Sequence, residues 1–423
     1  MEKYFKDRES KFKEEKKRKA SGTSLVSLQY LRSIKLPDKT GIIRIALSTN
    51  KDQLNFSSFG KVELLEKKGD LITKIATVQG DFSIQKQGNL LRIVYADGKS
   101  PGSVSGVIQV KSFNQYNIIE AEHRTYRGYF EVSHTNNNHL LLVNVIGLEN
   151  YLRGVLPSEM PATDRGILEA LKAQAVAART YAVAHQGQYK NMSFDLYHDQ
   201  RDQVYKGVRT ETFISDKAIS ETSNIVLTYD AKLAKCFYHS TCGGKTANIH
   251  DVWGQRTKHY LSTRSDANPN GLNYCKASKY STWHESWSLP KLSQIVRINL
   301  ASAKPDKMLK FTRIKGLEVT KRAACGRVKN LKITTDNGVI NIRGDKTRWA
   351  LRRDMPGNPI LLSAWFEIEN FGPKVLIRGR GFGHGIGMCQ RGAMGRAREG
   401  QNFIDILEAY YRSAELARWE LKE

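Results

Sequence analysis

YLRGVLPSEMPATDRGILEALKAQAVAARTY, residues 151–181, joins a turn carrying one carboxylate to a long alanine-rich helix. Glu159 lies between Pro157 and Pro161, and a proline disfavours helical geometry in the residue before it, so the sequence predicts a stiff, non-helical turn. Thr163 and Asp164 supply an N-cap and a negative first-turn residue, and Leu168, Leu171, Ala175, Ala178 and Ala182 recur at helical spacing. A helix this rich in alanine suits close packing against several neighbours. On the pattern alone, Glu159 reads equally as a held acid or as a solvated turn glutamate.

Working outward, 423 residues suffice for two or three cores, and 40% hydrophobic content is ordinary for a globular protein. A net charge of +25 predicts an anionic partner: nucleic acid, acidic wall glycans or an anionic lipid surface. No stretch approaches the ~18 to 20 apolar residues of a membrane span, so an integral membrane protein is not expected. Residues 1–20 mix Lys, Arg, Glu and Asp without the apolar centre of a signal peptide, which leaves the export route unread. Five cysteines, an odd number in a long chain, require no disulfide framework.

In chain order, residues 1–38 form a charged extension with a basic cluster at Lys16, Lys17, Arg18 and Lys19, read as a solvated helix or tail. Residues 39–125 alternate in short strand-like runs punctuated by Gly69, Gly80, Gly88 and Gly98. A larger mixed region follows over 126–423, and within it residues 140–146 make a continuous apolar run suited to a strand buried on both faces. Residues 283–371 read as an α/β subregion, with a hairpin turn at Asp336-Asn337-Gly338. The fold class is therefore α+β: a β-rich N-terminal region, then a mixed domain with a cleft.

Two further stretches carry candidate chemistry. In residues 377–400, Gly379, Gly381, Gly383, Gly385 and Gly387 fall on every second position, so an extended chain would present one bare face. That face admits either a ligand or a packed neighbouring strand. It is not a phosphate loop, because no Gly-Lys-Ser/Thr ending or Rossmann spacing accompanies it. Cys236, His239 and Cys242 place three soft ligands within seven residues, but not at zinc-knuckle spacing, and a structural thiol pair is the favoured reading. His384 alone reads as a structural histidine.

Taken together, YLRGVLPSEMP, LKAQAVAARTYA, DQVYKG, HSTCGGKTA and GRGFGHGIGMCQRGA, followed by a helix ending at Tyr410 and Tyr411, resemble the sporulation stage II protein D and amidase enhancer family (SpoIID/LytB) over roughly residues 126–411. The resemblance implies a peptidoglycan lytic transglycosylase that cuts the MurNAc-GlcNAc bond of stem-peptide-free glycan strands and leaves 1,6-anhydroMurNAc ends. It assigns Glu159 the role of general acid and then base. His239, Ser240, Thr241 and His384 become candidates to line the site, and Gln174, Arg179, Gln203 and Tyr205 fall in family motifs as further substrate-binding candidates. Certain clostridial members hold zinc just before the Gln-Val-Tyr motif; here that place has His198 but no cysteine, so no metal and no cofactor is carried over. The implied setting is the cell envelope, the partners glycan strands and a cell-wall amidase, with nucleic acid not expected. The alternative is a non-catalytic, peptidoglycan-binding enhancer of an N-acetylmuramoyl-L-alanine amidase.

Overall fold

The computed structural model describes residues 31–420 except 37, 114–117, 163, 304–310 and 358. The basic cluster at residues 16–19 and the Thr163 cap lie outside the described residues. The architecture is mixed α+β. An eleven-stranded sheet runs from Leu196–Tyr197 through Ile42–Lys51, Leu140–Gly147, Tyr129–His134 and Val107–Ser112 to the long hairpin Gln53–Lys68/Leu71–Gln87, and on to Leu90–Tyr95 and Gly102–Val104. It crosses the sequence boundary placed at 125/126, because Leu140–Gly147 pairs antiparallel with Ile42–Lys51, Asn144 facing Ile45. The first and last described strands also meet: Ser33–Lys35, expected in a solvated tail, instead runs parallel to Glu415–Glu420.

Residues 140–146 are buried throughout, and strand alternation divides them between two cores. Leu140, Leu142 and Ile146 join the main core, while Leu141, Val143 and Val145 pack with Ala46 and Phe194 on the other face. This strand passes directly into helix α1, Leu148–Glu159. A short turn, Arg165–Ile167, is capped by Asp164, whose carboxylate accepts from the Gly166 N–H at 2.8 Å, and helix α2 follows at Leu168–Ala184. Ala170, Ala173, Ala175, Ala177, Ala178 and Ala182 are all fully buried. A helix buried all round has no amphipathic face to read; its alanines let α1, the helices Phe213–Glu221, Gln390–Arg398 and Phe403–Tyr410, and the strand Ile225–Tyr229 approach it together.

A second core gathers Trp287, Leu292, Val296, Leu331, Ile333, Phe366 and Ile377 beneath two three-stranded sheets and the Leu289–Ala303 helix. Its hairpin turns at Asp336-Asn337, with Thr335 opposite Gly338 as the turn chemistry requires.

The glycine-rich segment departs from the extended reading. Strand Lys374–Gly379 ends at Gly379, after which Gly381, Gly383, Gly385 and Gly387 all adopt positive φ. The bare positions are filled by protein: a Cβ on Gly381 would meet the Thr241 carbonyl, on Gly383 the His239 side chain, and on Gly387 the Phe237 carbonyl. Close passage of residues 237–242 is what the glycines permit, and this leaves no room there for a sugar ring. Gly387→Ala is expected to cost about 2 kcal/mol through combined backbone strain and overlap, read as a lower urea midpoint at unchanged slope.

Candidate functional site

Glu159 is the last residue of α1, and Pro157 sits inside that helix. This corrects the expected non-helical turn. Proline removes one hydrogen bond, but near the end of a helix the loss is local, and Leu152, Val155 and Leu156 remain buried around it. The Gly154 carbonyl accepts from the Ser158 hydroxyl at 2.8 Å. Pro161 acts as expected on Met160, which is extended and ends the helix.

The Glu159 side chain is half-buried. Oε1 accepts the Val204 backbone N–H at 2.8 Å, and Oε2 accepts the Gln390 amide at 3.2 Å. Desolvation pushes the carboxyl above the ordinary glutamate range, against the opposing pull of those two hydrogen bonds and Lys206. Its place at a helix C-terminus acts in the same direction as burial, since the dipole there disfavours an anion. The result is a carboxyl group partly sheltered from water and biased toward its protonated form. Tyr151, Tyr181 and Tyr238 are close enough to feel its charge.

The other sequence candidates divide sharply. Gln203 touches this neighbourhood from within the protein: fully buried, it accepts from Tyr151 Oη at 3.2 Å and donates to Tyr238 Oη at 2.8 Å. Tyr205 is a core residue whose hydroxyl donates to Asn144 at 3.0 Å. Arg179, also fully buried, grips Glu149 through two bonds of 2.7 and 2.8 Å. Gln174 is fully buried in α2 with neither amide atom hydrogen-bonded to a described residue. Thr241 is buried against the Ser278 hydroxyl at 2.8 Å. All five are buried in the free chain, behind the surface rather than on it.

His239 bonds the Ile386 carbonyl through Nδ1 at 3.1 Å, and burial lowers its pKa well below the ordinary range. His384 accepts the Ile386 N–H through Nδ1 and donates to the Tyr238 carbonyl through Nε2, both at 3.0 Å, and burial holds its pKa down to about 4. Both rings are pins between the glycine segment and residues 237–242, 5.5 Å apart. Ser240 is half-buried, and its carbonyl accepts the Arg391 N–H at 3.0 Å at the start of the Gln390–Arg398 helix. Gln390, which the sequence did not single out, is the residue that reaches Glu159. Its signal was present in Met-Cys-Gln-Arg-Gly-Ala but could not be separated from the glycine pattern.

Cys236 and Cys242 do not form a pair. Cys236 is buried near Thr180, whereas Cys242 lies with Cys275, Cys389 and Asp266, their ligand atoms all within 4.8 Å of one another. His198 bonds the Ala46 carbonyl through Nδ1 at 3.0 Å.

These features define an α+β protein built around an alanine-rich helix, with one sheltered carboxyl group at the end of the preceding helix. The family model described as stage II sporulation protein matches residues 136–229, and a domain of unknown function matches 270–387. The stage II sporulation protein D of Bacillus subtilis is 30% identical over 290 residues, covering 65% of this chain and 76% of that protein. An uncharacterized protein of Brachyspira hyodysenteriae is 30% identical over 281 residues, 66% of this chain and 69% of that one. The amidase enhancer of Bacillus subtilis is 28% identical over 303 residues, 63% of this chain, but the match spans only 40% of that protein's length. The chain belongs to the stage II sporulation protein D and amidase enhancer family.

Proposed function

We propose that the protein is a lytic transglycosylase of the cell envelope, cutting the MurNAc-GlcNAc bond of stem-peptide-free peptidoglycan strands with Glu159 as acid and base. The observation that carries this reading is the half-buried Glu159 carboxyl, raised in pKa and aimed by the Val204 N–H and the Gln390 amide. Cleavage begins with a proton passing from Glu159 to the bridging oxygen as the C1–O bond breaks. The resulting carboxylate then takes the proton from the 6-hydroxyl of the same MurNAc residue while that oxygen closes on C1. Because the nucleophile belongs to the substrate, one carboxyl group serves both halves of the reaction, and a second to activate water is not required. The +25 charge supports dwell time on an anionic wall polymer.

Denuded glycan strands incubated with the purified protein should yield 1,6-anhydromuramyl ends. Enhanced turnover of a cell-wall amidase without such ends would favour the binding module that one relative's name, amidase enhancer, suggests. The pH profile follows from the raised Glu159 pKa: kcat/KM should hold past the usual glutamate range and then fall about tenfold per pH unit as the acid ionises. An alkaline limb that does not move when Gln390 is replaced by Leu would separate that limb from Glu159, because loss of the amide donor must shift its pKa further upward.

A further inference from the structure

The cluster around Cys242 plays no part in the proposed chemistry, yet it is built with care. Cys242, Asp266, Cys275 and Cys389 are all buried. The Cys242 and Cys275 sulfurs are 3.6 Å apart, and Cys242 Sγ is 3.1 Å from Asp266 Oδ2. A tetrahedral ion with zinc–sulfur arms of about 2.3 Å sets neighbouring sulfurs about 3.8 Å apart, so the spacing is that of ligands sharing one ion. Backbone N–H groups point at these sulfurs. Cys389 Sγ accepts the Cys242 and Gly392 N–H groups at 3.1 and 3.2 Å, and Cys242 Sγ accepts that of Gly244 at 3.3 Å. Cys275 draws on the Gly243 and Gly244 amides.

The second carboxylate oxygen, Asp266 Oδ1, accepts from Tyr410 Oη at 2.8 Å and from Arg396 at 3.1 and 3.3 Å, as an oriented metal ligand does. Gly392 is required here, since a Cβ would overlap both the Asp266 carboxylate and the Tyr410 hydroxyl. Three thiolates and one carboxylate, offset by a dication and Arg396, leave a single negative charge for these amides to absorb.

We propose that Cys242, Asp266, Cys275 and Cys389 bind one zinc ion, and that this ion fixes Gln390 beside Glu159. Thiolate and carboxylate donors in a closed four-ligand set suit structural zinc. The ion would tie together three chain segments, 240–247, 266–275 and the start of the Gln390–Arg398 helix, which no disulfide joins among the described residues. Cys389 immediately precedes Gln390, so the ion anchors the helix end that delivers the amide to the carboxyl. Only this second clause rests on the proposed activity.

The test uses the full chain purified without chelators or a metal-affinity step. Elemental analysis should find about one zinc per chain. Cobalt exchanged into the wild-type protein should give thiolate-to-metal charge-transfer and tetrahedral d–d bands, which keeps the claim testable should cysteine variants fail to fold. Asp266→Asn should weaken zinc affinity at least tenfold. Metal-free protein should cleave more slowly, with the alkaline limb of its pH profile displaced upward and restored by zinc. A chain carrying no metal, stoichiometric iron in its place, or an oxidised Cys242–Cys275 pair lighter by two hydrogens would overturn the zinc site. A full zinc complement with cleavage unchanged on its removal would overturn the link to Gln390 alone. Zinc present with no cleavage in either state would sink that link together with the proposed activity.

Discussion

Replacing Glu159 by Gln is expected to reduce formation of 1,6-anhydromuramyl ends by on the order of 10³-fold while leaving the fold intact. The substitution keeps the shape, and the carbonyl of the new amide can still accept the Val204 N–H, so the backbone tie at 2.8 Å survives. What disappears is the proton. The loss should fall on kcat rather than KM, because the missing interaction forms only as the glycosidic bond breaks. A variant that retains most of the activity would move the acid elsewhere and reduce Glu159 to a structural residue.

The same change has a stability signature that a bystander would not give. Because burial raises the Glu159 pKa, the folded state binds its proton more tightly than the unfolded chain does. That contribution is complete below the ordinary glutamate pKa and is lost as pH rises through the folded value. Glu159→Gln does not ionise, so it should be more stable than the parent above that window and should converge with it in acid. Urea melts of both proteins across the window would show the divergence or its absence.

How far the sequence could be read follows from the range of the forces involved. The run at 140–146 was legible because burial on both faces leaves no polar alternation, and its strand does feed two cores. The alanine-rich helix and the Asp336-Asn337 turn were legible for equally local reasons. Pro157 misled because local geometry was weighed against a helix whose other residues are locked in the core, with Gly154 pressed against the Tyr205 ring. The cysteine cluster was hidden because its ligands span residues 242–389, and no spacing rule connects a Gly-Gly turn to a cysteine so far along the chain. Gln390 was hidden for the same reason, its meaning coming from a partner 231 positions away.

Glu149→Leu is expected to destabilise the protein by about 3 to 5 kcal/mol, and Arg179→Met by less, about 2 to 3 kcal/mol. The asymmetry comes from burial. Arg179 is fully inaccessible, whereas the Glu149 side chain keeps about a third of its surface in water (36%). Removing the carboxylate therefore strands a whole guanidinium in the core with, among the described residues, only the Ile225 and Ile219 carbonyls, at 3.1 and 3.4 Å, for company. Removing the guanidinium leaves a carboxylate that water can still reach, with those two carbonyls losing a donor. The double variant should cost less than the sum of the two, since neither charge is then left alone. Strict additivity, or equal costs for the singles, would mean the pair is not coupled as its geometry requires. In family terms the outcome bears on why an arginine stands in an alanine-rich helix at all: it ties α2 to the first turn of α1, whose last turn presents Glu159. Activity per folded molecule should accordingly change far less in Arg179→Met than in Glu159→Gln, which separates a residue that holds the scaffold from one that reacts.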